Sequence, residues 1–283
     1  MDKICCFKWI AKAKPTVINV NSDCSVSEIT LIWIRYFCDL IVYLTSGNYT
    51  KRMENYLRFS ACNISSHHCR CFEKLSEDEL KLLDASSVKI RYKKGEVICK
   101  QGGFVSQVMY VETGLVKVFL DNGKSTLVIK IIPDGNLVGL ASVSEEYNTY
   151  QYSVMAYIDT EVRQIDVNVF RQLLMQNSLF AKEIIDILSA NSVQIYGRFF
   201  CLTQKQSFGR VADIILCLSD RIFKRTDFYL PLSRKDLAEL TGMSSETVTR
   251  ILKEFNREGL IKIEGKKLEV VDYARLLHIS ETG

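Results

Sequence analysis

At 283 residues, with 47% hydrophobic and 25% charged residues, the chain carries enough apolar material for two domain cores and is excluded from the predominantly disordered class. A formal net charge of +4 excludes a histone-like protein that binds nucleic acid by bulk electrostatics, so a nucleic-acid reading has to rest on a local surface. Ten cysteines, with no secretory signal ahead of a small cysteine-dense domain, argue against a disulfide framework and for a reducing, cytoplasmic setting.

Residues 1–52 differ from everything after them, with scattered cysteines and little periodicity before Ser25. They read as an uncharacterised extension, either native or an upstream read-through with Met53 as the true start. The apolar stretch at residues 29–45 is shorter than the roughly 20 residues of a membrane span and contains Arg35 and Asp39, so no membrane anchor is expected. From Met53 the chain runs into an amphipathic helix marked by Leu75, Leu80, Leu82 and Leu83.

Between Val88 and Asp166 the pattern changes to eight short segments rich in β-branched and aromatic residues, separated by glycine turns. Asn122-Gly123 sits between two alternating segments, where a two-residue hairpin needs positive φ at both central positions. Strands at this spacing predict a small barrel or jelly roll, and the first domain is placed at residues 53–174.

From Val169 to about Leu202 the period becomes helical, with Phe180, Ile184, Ile187, Asn191, Gln194 or Ile195, and Arg198 on one near-heptad stripe. Such a stripe on a helix between two domains predicts pairing with its copy in a second subunit, polar Asn191 helping to set register; residues 175–203 are assigned to it. The alternative is a helix packed on its own β domain.

Residues 204–283 form the second domain. Ser233 is placed to cap a helix starting at Arg234, with Asp236 completing a capping box. Thr241-Gly242-Met243 makes a tight turn, Ser244 caps a second helix running to Arg257, and Gly259 stops it. Small Ala238 lets the helices approach, while Leu237, Met243, Val248, Ile251 and Leu252 supply a shared core. These are the steric requirements of a helix-turn-helix, and residues 260–271 add a short hairpin with a basic tip, a wing.

On the second helix, Ser245, Glu246, Thr249 and Arg250 share the face away from the core and would read bases in a major groove. Arg250 can pair bidentately with guanine, and Glu246 can accept from a cytosine amino group or orient the guanidinium. The competing reading of Glu246 and Arg250 is a surface ion pair one helical turn apart. Ser233, Arg234, Lys253, Arg257, Lys266 and Lys267 are placed for phosphates, which position the protein without reading sequence. Across residues 231–270, eight Lys or Arg stand against seven Asp or Glu, so specificity has to rest on few base contacts.

The segments YKKGEVICKQG, YVETGLVKVF and IIPDGNLVGL, the bridging helix and LSRKDLAELTGMSSETVTRILKEFNREGLIKIEGKKLEV together resemble the Crp/Fnr superfamily over about residues 75–272. The resemblance implies an α+β chain: a cyclic-nucleotide-binding-type, jelly-roll-like β-roll as sensor, a long dimerisation helix and a C-terminal winged helix-turn-helix. It further implies a homodimer on an inverted-repeat promoter in double-stranded DNA, with RNA polymerase as a further partner. The family's Glu-x-x-x-Arg falls on Glu246 and Arg250, which implies half-sites containing TGA.

The sensor departs from the family pattern. Binding of cyclic AMP in the family needs a glutamate for the ribose and an Arg-Ser pair for the phosphate. Here Asn136 replaces the glutamate, and residues 147–153 contain no arginine, so an effector pocket at Gly135, Asn136, Leu137, Tyr150, Gln151 and Tyr152 is not expected to take cyclic AMP. Cys62, Cys69 and Cys71 precede the roll where oxygen-sensing relatives carry iron-sulfur ligands, but Arg163 stands at the fourth ligand position. A redox or metal sensor, iron-sulfur or zinc, is therefore the alternative to reduced structural cysteines, and no cofactor is firmly implied. The sequence carries no phosphate loop, nucleophile elbow or H-E-x-x-H motif, so an enzyme is not expected.

Overall fold

In the computed structural model, residues 69–283 are described. The extension at 1–52, the proposed start at Met53, the apolar stretch at 29–45 and Cys62 lie outside them. Among the described residues no helix is long and apolar enough to cross a membrane.

All eight predicted segments are strands: β1 (Ser87–Tyr92), β2 (Val97–Cys99), β3 (Gln107–Thr113), β4 (Leu115–Asp121), β5 (Thr126–Pro133), β6 (Asn136–Val138), β7 (Ser153–Ala156) and β8 (Thr160–Asp166). They form two four-stranded antiparallel sheets, ordered β1-β8-β3-β6 and β2-β7-β4-β5, the double-sheet architecture expected of a jelly-roll-like domain. Val111, Val116, Val118, Ile132, Val154 and Val162 fill the space between the sheets.

The β4–β5 connection differs from the two-residue hairpin expected. Asp121 pairs with Thr126, leaving a four-residue loop in which Gly123 alone has positive φ (80°). The reason is local: the Asn122 side chain accepts from the backbone N–H groups of Lys124 and Ser125, at 3.0 and 2.9 Å, and so stabilises a wider turn.

Four helices surround or leave the roll: α1 (Glu77–Ala85), α2 (Val167–Gln176), α3 (Ser178–Gln204) and α4 (Ser207–Cys217). The helical period from Val169 onward is divided between α2 and α3, because Asn177 is extended and its side chain caps α3 by accepting from Leu179 and Phe180 N–H. The 27-residue α3 is the long helix predicted at 175–203.

The stripe expected at a subunit seam is largely used within the chain. Phe180 and Ile184 are buried with Leu83, Leu137, Ile165, Phe170 and Leu173, against the outer face of the first sheet. Ile187 packs at the edge of that cluster, Asn191 accepts a hydrogen bond from Lys130 of β5, and Arg198 is buried. Of the expected set only Ile195 is open. A second apolar stripe lies about one residue further round the helix, at Ile185, Leu188, Ile195, Tyr196 and Phe199, with Ile185 60% and Phe199 69% exposed. Both stripes fit a 3.5-residue period, and only the position of the roll decides which is covered.

The C-terminal part contains β9 (Asp227–Tyr229), α5 (Arg234–Thr241), α6 (Ser245–Arg257), β10 (Ile261–Glu264), β11 (Lys267–Val270) and α7 (Tyr273–Thr282). β9 joins the predicted wing as a third strand in the order β10-β11-β9, with Phe228 opposite Leu268. The apolar core of this part is continuous with Leu115, Phe119, Val128, Ile131 and Tyr157 on the second sheet of the roll.

Candidate nucleic-acid interface

The helix-turn-helix forms as its local chemistry requires. Ser233 accepts from Asp236 N–H at 3.1 Å while the Asp236 carboxylate accepts from Ser233 N–H at 2.8 Å, the reciprocal capping box. Gly242 ends α5 in the left-handed region (φ 64°), and a Cβ there would lie 3.3 Å from Leu202, so both conformation and space favour glycine. Ser244 then caps α6, and Gly259 at φ 70° follows its end. Leu237, Ala238, Val248, Ile251 and Leu252 are buried together as predicted; Leu240 and Phe255 complete the core, and Met243 packs at its edge.

Burying that stripe leaves Ser245, Glu246, Thr249, Arg250, Lys253 and Arg257 along one open face of α6. No ion pair joins Glu246 to Arg250. Glu246 is fully exposed and held below the usual carboxylate range, chiefly by its own backbone N–H at the helix N-terminus and then by Ser244. Arg250 lies over the Phe208 ring, 6.0 Å from its centroid, so an apolar platform supports the guanidinium while its donors stay free of carboxylates. The Thr249 hydroxyl donates to Ser245 C=O at 2.7 Å, leaving its methyl group and acceptor lone pairs for a partner.

The residues expected at phosphates divide into three groups. Lys253 and Lys266 are exposed and carry no ion pair among the described residues. Arg257 is engaged by Glu254, and Lys267 lies 3.6 Å from Asp227. The Ser233 hydroxyl is spent in the cap, and Arg234 is half-buried, with desolvation pulling its guanidinium below the ordinary value. Sequence reasoning missed Phe208, because its helix α4 carries no turn or capping signal that ties it to Arg250.

In the roll, the polar side chains expected around an effector are bonded to backbone groups of neighbouring residues. Asn136 is buried, donating its amide to Pro133 and Asp134 C=O at 3.3 and 3.0 Å. Tyr150 donates its hydroxyl to Gln107 C=O at 2.8 Å, and Tyr152 accepts from Gly139 N–H at 3.0 Å. Burial pushes both phenols up to about 12, so they stay neutral. Gln151 is exposed and donates to Thr149 C=O. Gly135 and Leu137 flank Asn136, with Gly135 C=O accepting from Cys69 N–H at 2.7 Å.

The Cys69 and Cys71 sulfurs, expected as reduced cysteines, are in contact and placed to join as a disulfide. In that state neither sulfur is a thiolate ligand, and the described residues contain no metal-binding group of three or more His, Cys, Asp or Glu. The buried Cys99 thiol is pushed up to about 12 by desolvation, which keeps it neutral and a poor ligand.

A capped helix-turn-helix with an open polar face, a wing and an upstream double-sheet roll defines a winged-helix DNA-binding regulator with a sensor-type domain. The comparisons with known proteins agree: the family described as "Crp-like helix-turn-helix domain" matches residues 209–279, and "Cyclic nucleotide-binding domain" matches residues 89–177. The chain belongs to the Crp/Fnr family of transcription regulators, a family of regulators and not of enzymes. It is 28% identical to "Transcriptional activator protein FnrA" of Stutzerimonas stutzeri, over 64% of this chain and 75% of that protein. To the "cAMP-activated global transcriptional regulator CRP" of Escherichia coli O157:H7 it is 26% identical, over 64% of this chain and 88% of that one. The solved structure of FixK2 from Bradyrhizobium japonicum shares the fold, with a TM-score of 0.63 and 22% identity over 68% of this chain and 96% of that one.

Proposed function

We infer that the protein binds an inverted-repeat promoter site as a homodimer, reading each half-site with Ser245, Glu246, Thr249 and Arg250 and holding phosphates chiefly with Lys253 and Lys266. The observation that carries this reading is the open face of α6, where Arg250 lies against Phe208 and is not consumed by Glu246. The Glu-x-x-x-Arg spacing supports half-sites containing TGA. Pairing of the exposed stripe of α3 would place the two recognition helices on successive major grooves, about 34 Å apart. RNA polymerase is the further partner expected on this reading, since a regulator bound at a promoter acts on transcription. Selection from random duplexes is expected to recover an inverted repeat with TGA in both arms; recovery of unrelated or unpaired sites overturns the reading.

The effector is not cyclic AMP on this reading. A cyclic phosphate needs a cation or an oriented donor array, while residues 147–153 supply no arginine, the Tyr150 hydroxyl is committed to the backbone and Asn136 is turned onto its own turn.

A second reading, redox sensing, is favoured by the contact between the Cys69 and Cys71 sulfurs, since the Cys69 N–H donates to Gly135 C=O at the roll's turn and both cysteines pack in the cluster that holds Phe180 and Ile184 of α3. Two-electron reduction to thiols by dithiothreitol is then expected to change operator affinity by at least about threefold, and C69S/C71S protein to lose the response. Equal affinity before and after reduction removes this reading and leaves the first intact.

A further inference from the structure

The junction between the roll and the reading head contains a charge cluster that nothing in the DNA-reading role uses. Lys117 points outward from β4 yet is only 6% exposed, because α5 of the head lies over it. Its ammonium is 2.7 Å from Glu239 and 3.6 Å from Asp236, both on α5, and its charge lies 5.3 and 5.4 Å from the Phe119 and Tyr157 ring centroids. From the other side, buried Arg198 of α3 donates one guanidinium nitrogen to Val128 C=O of β5, at 2.9 Å, and to Leu240 C=O of α5. A third tie runs from Lys94 to Pro231 C=O, at 3.0 Å.

These contacts all grip α5 or the connection leading into it, and none touches the reading face of α6. Since α5 carries α6 through the rigid turn at Gly242, holding α5 holds the recognition helix relative to α3. The charges stand apart from the apolar residues that join head and roll, among them Leu237, Leu240, Val248, Ile251 and Phe255 of the head and Leu115, Val128 and Ile131 of the roll. A buried lysine between two carboxylates is directional in a way that apolar contact is not. Charges withdrawn from water must stay paired, so the head cannot slide without exposing or stranding one of them.

We propose that Lys117, together with Arg198, is a positioning residue for DNA recognition: the Lys117–Glu239/Asp236 cluster sets the angle at which each reading head leaves the dimer helix, so that both recognition helices meet their grooves at once. This rests on the homodimer reading above. In a dimer whose heads are already aligned, the second half-site is bound without a further ordering cost, which raises affinity for a correctly spaced pair and for no other. For a single half-site the alignment is irrelevant.

The test uses the full chain and fluorescence anisotropy on two duplexes, the complete inverted repeat recovered by selection and the same duplex with one arm scrambled. K117M keeps the contacts with both rings and removes the charge. It is expected to lower affinity for the complete repeat at least tenfold, to leave half-site affinity within twofold, and to reduce the penalty for inserting one base pair between the arms. The charge swap K117E/E239K is expected to recover most of the complete-site affinity. E239Q, which keeps an acceptor for Lys117, shifts the same ratio in the same direction by less and serves if K117M does not fold. Equal losses on both duplexes, or no loss on either, overturn the proposal. Wild-type protein with no preference for the complete repeat overturns the homodimer reading instead.

Discussion

Replacing Arg250 by alanine is expected to weaken binding to the selected inverted repeat by between roughly 30-fold and 20,000-fold, since a good bidentate pair contributes about 1 to 3 kcal/mol and a dimer would make it twice. The loss should fall on sequence discrimination. Affinity for unrelated DNA, which rests on phosphate neutralisation, should change little, and the dependence of log affinity on log salt should keep its slope. Lys253→Ala gives the contrasting result: weaker binding to every sequence and a salt slope reduced by about 1 per phosphate contact removed. Titrations of both variants on the selected and a scrambled duplex, at several salt concentrations, separate the two roles. Retention of full discrimination by the Arg250 variant means that α6 does not read the site through this residue. The magnitude depends on Phe208, because a guanidinium held on a ring loses less freedom on pairing than one in open solvent.

Phe199→Glu is expected to convert the dimer to monomer at micromolar concentration and to abolish binding to the complete repeat, with little effect on the melting of the single chain. Phe199 and Ile195 stand on the exposed stripe of α3, and two copies of the new carboxylate would meet in a desolvated seam. Phe180→Ala behaves oppositely. Phe180 is fully buried against Phe170 and Phe72, with ring centroids 5.3 and 6.5 Å away, so its truncation costs about 3 to 5 kcal/mol of folding stability while the seam is untouched. Sedimentation velocity and thermal melts on the two variants discriminate the stripes. A Phe199→Glu protein that remains a dimer, or a Phe180→Ala protein that dissociates without losing stability, places the seam elsewhere.

The parts legible in the sequence are those fixed by neighbours along the chain. The capping box of Ser233 and Asp236, the left-handed turn at Gly242, the cap at Ser244 and the wing turn at Gly265 each depend on residues within about four positions, and each forms where the spacing places it. Enrichment in β-branched and aromatic residues between turn signals likewise marks the eight strands of the roll, because such side chains suit a pleated, half-buried surface whatever lies opposite. The same locality assigns Ser245, Glu246, Thr249 and Arg250 to one helix face once Val248, Ile251 and Leu252 are taken as core.

What escaped the sequence is decided by contacts between segments far apart in it. The long helix carries two apolar stripes of nearly the same period, and the roll covers the one through Phe180 and Ile184, leaving Ile185, Leu188, Ile195 and Phe199 open. Lys117 looks like an ordinary outward lysine on an alternating strand until α5, more than a hundred residues later, lays Asp236 and Glu239 against it. Periodicity and capping thus specify the helix-turn-helix and the open face of α6, whereas which stripe of α3 is covered, the support of Arg250 by Phe208 and the mounting of the head on the roll arise only when the folded chain excludes water from one surface and not another.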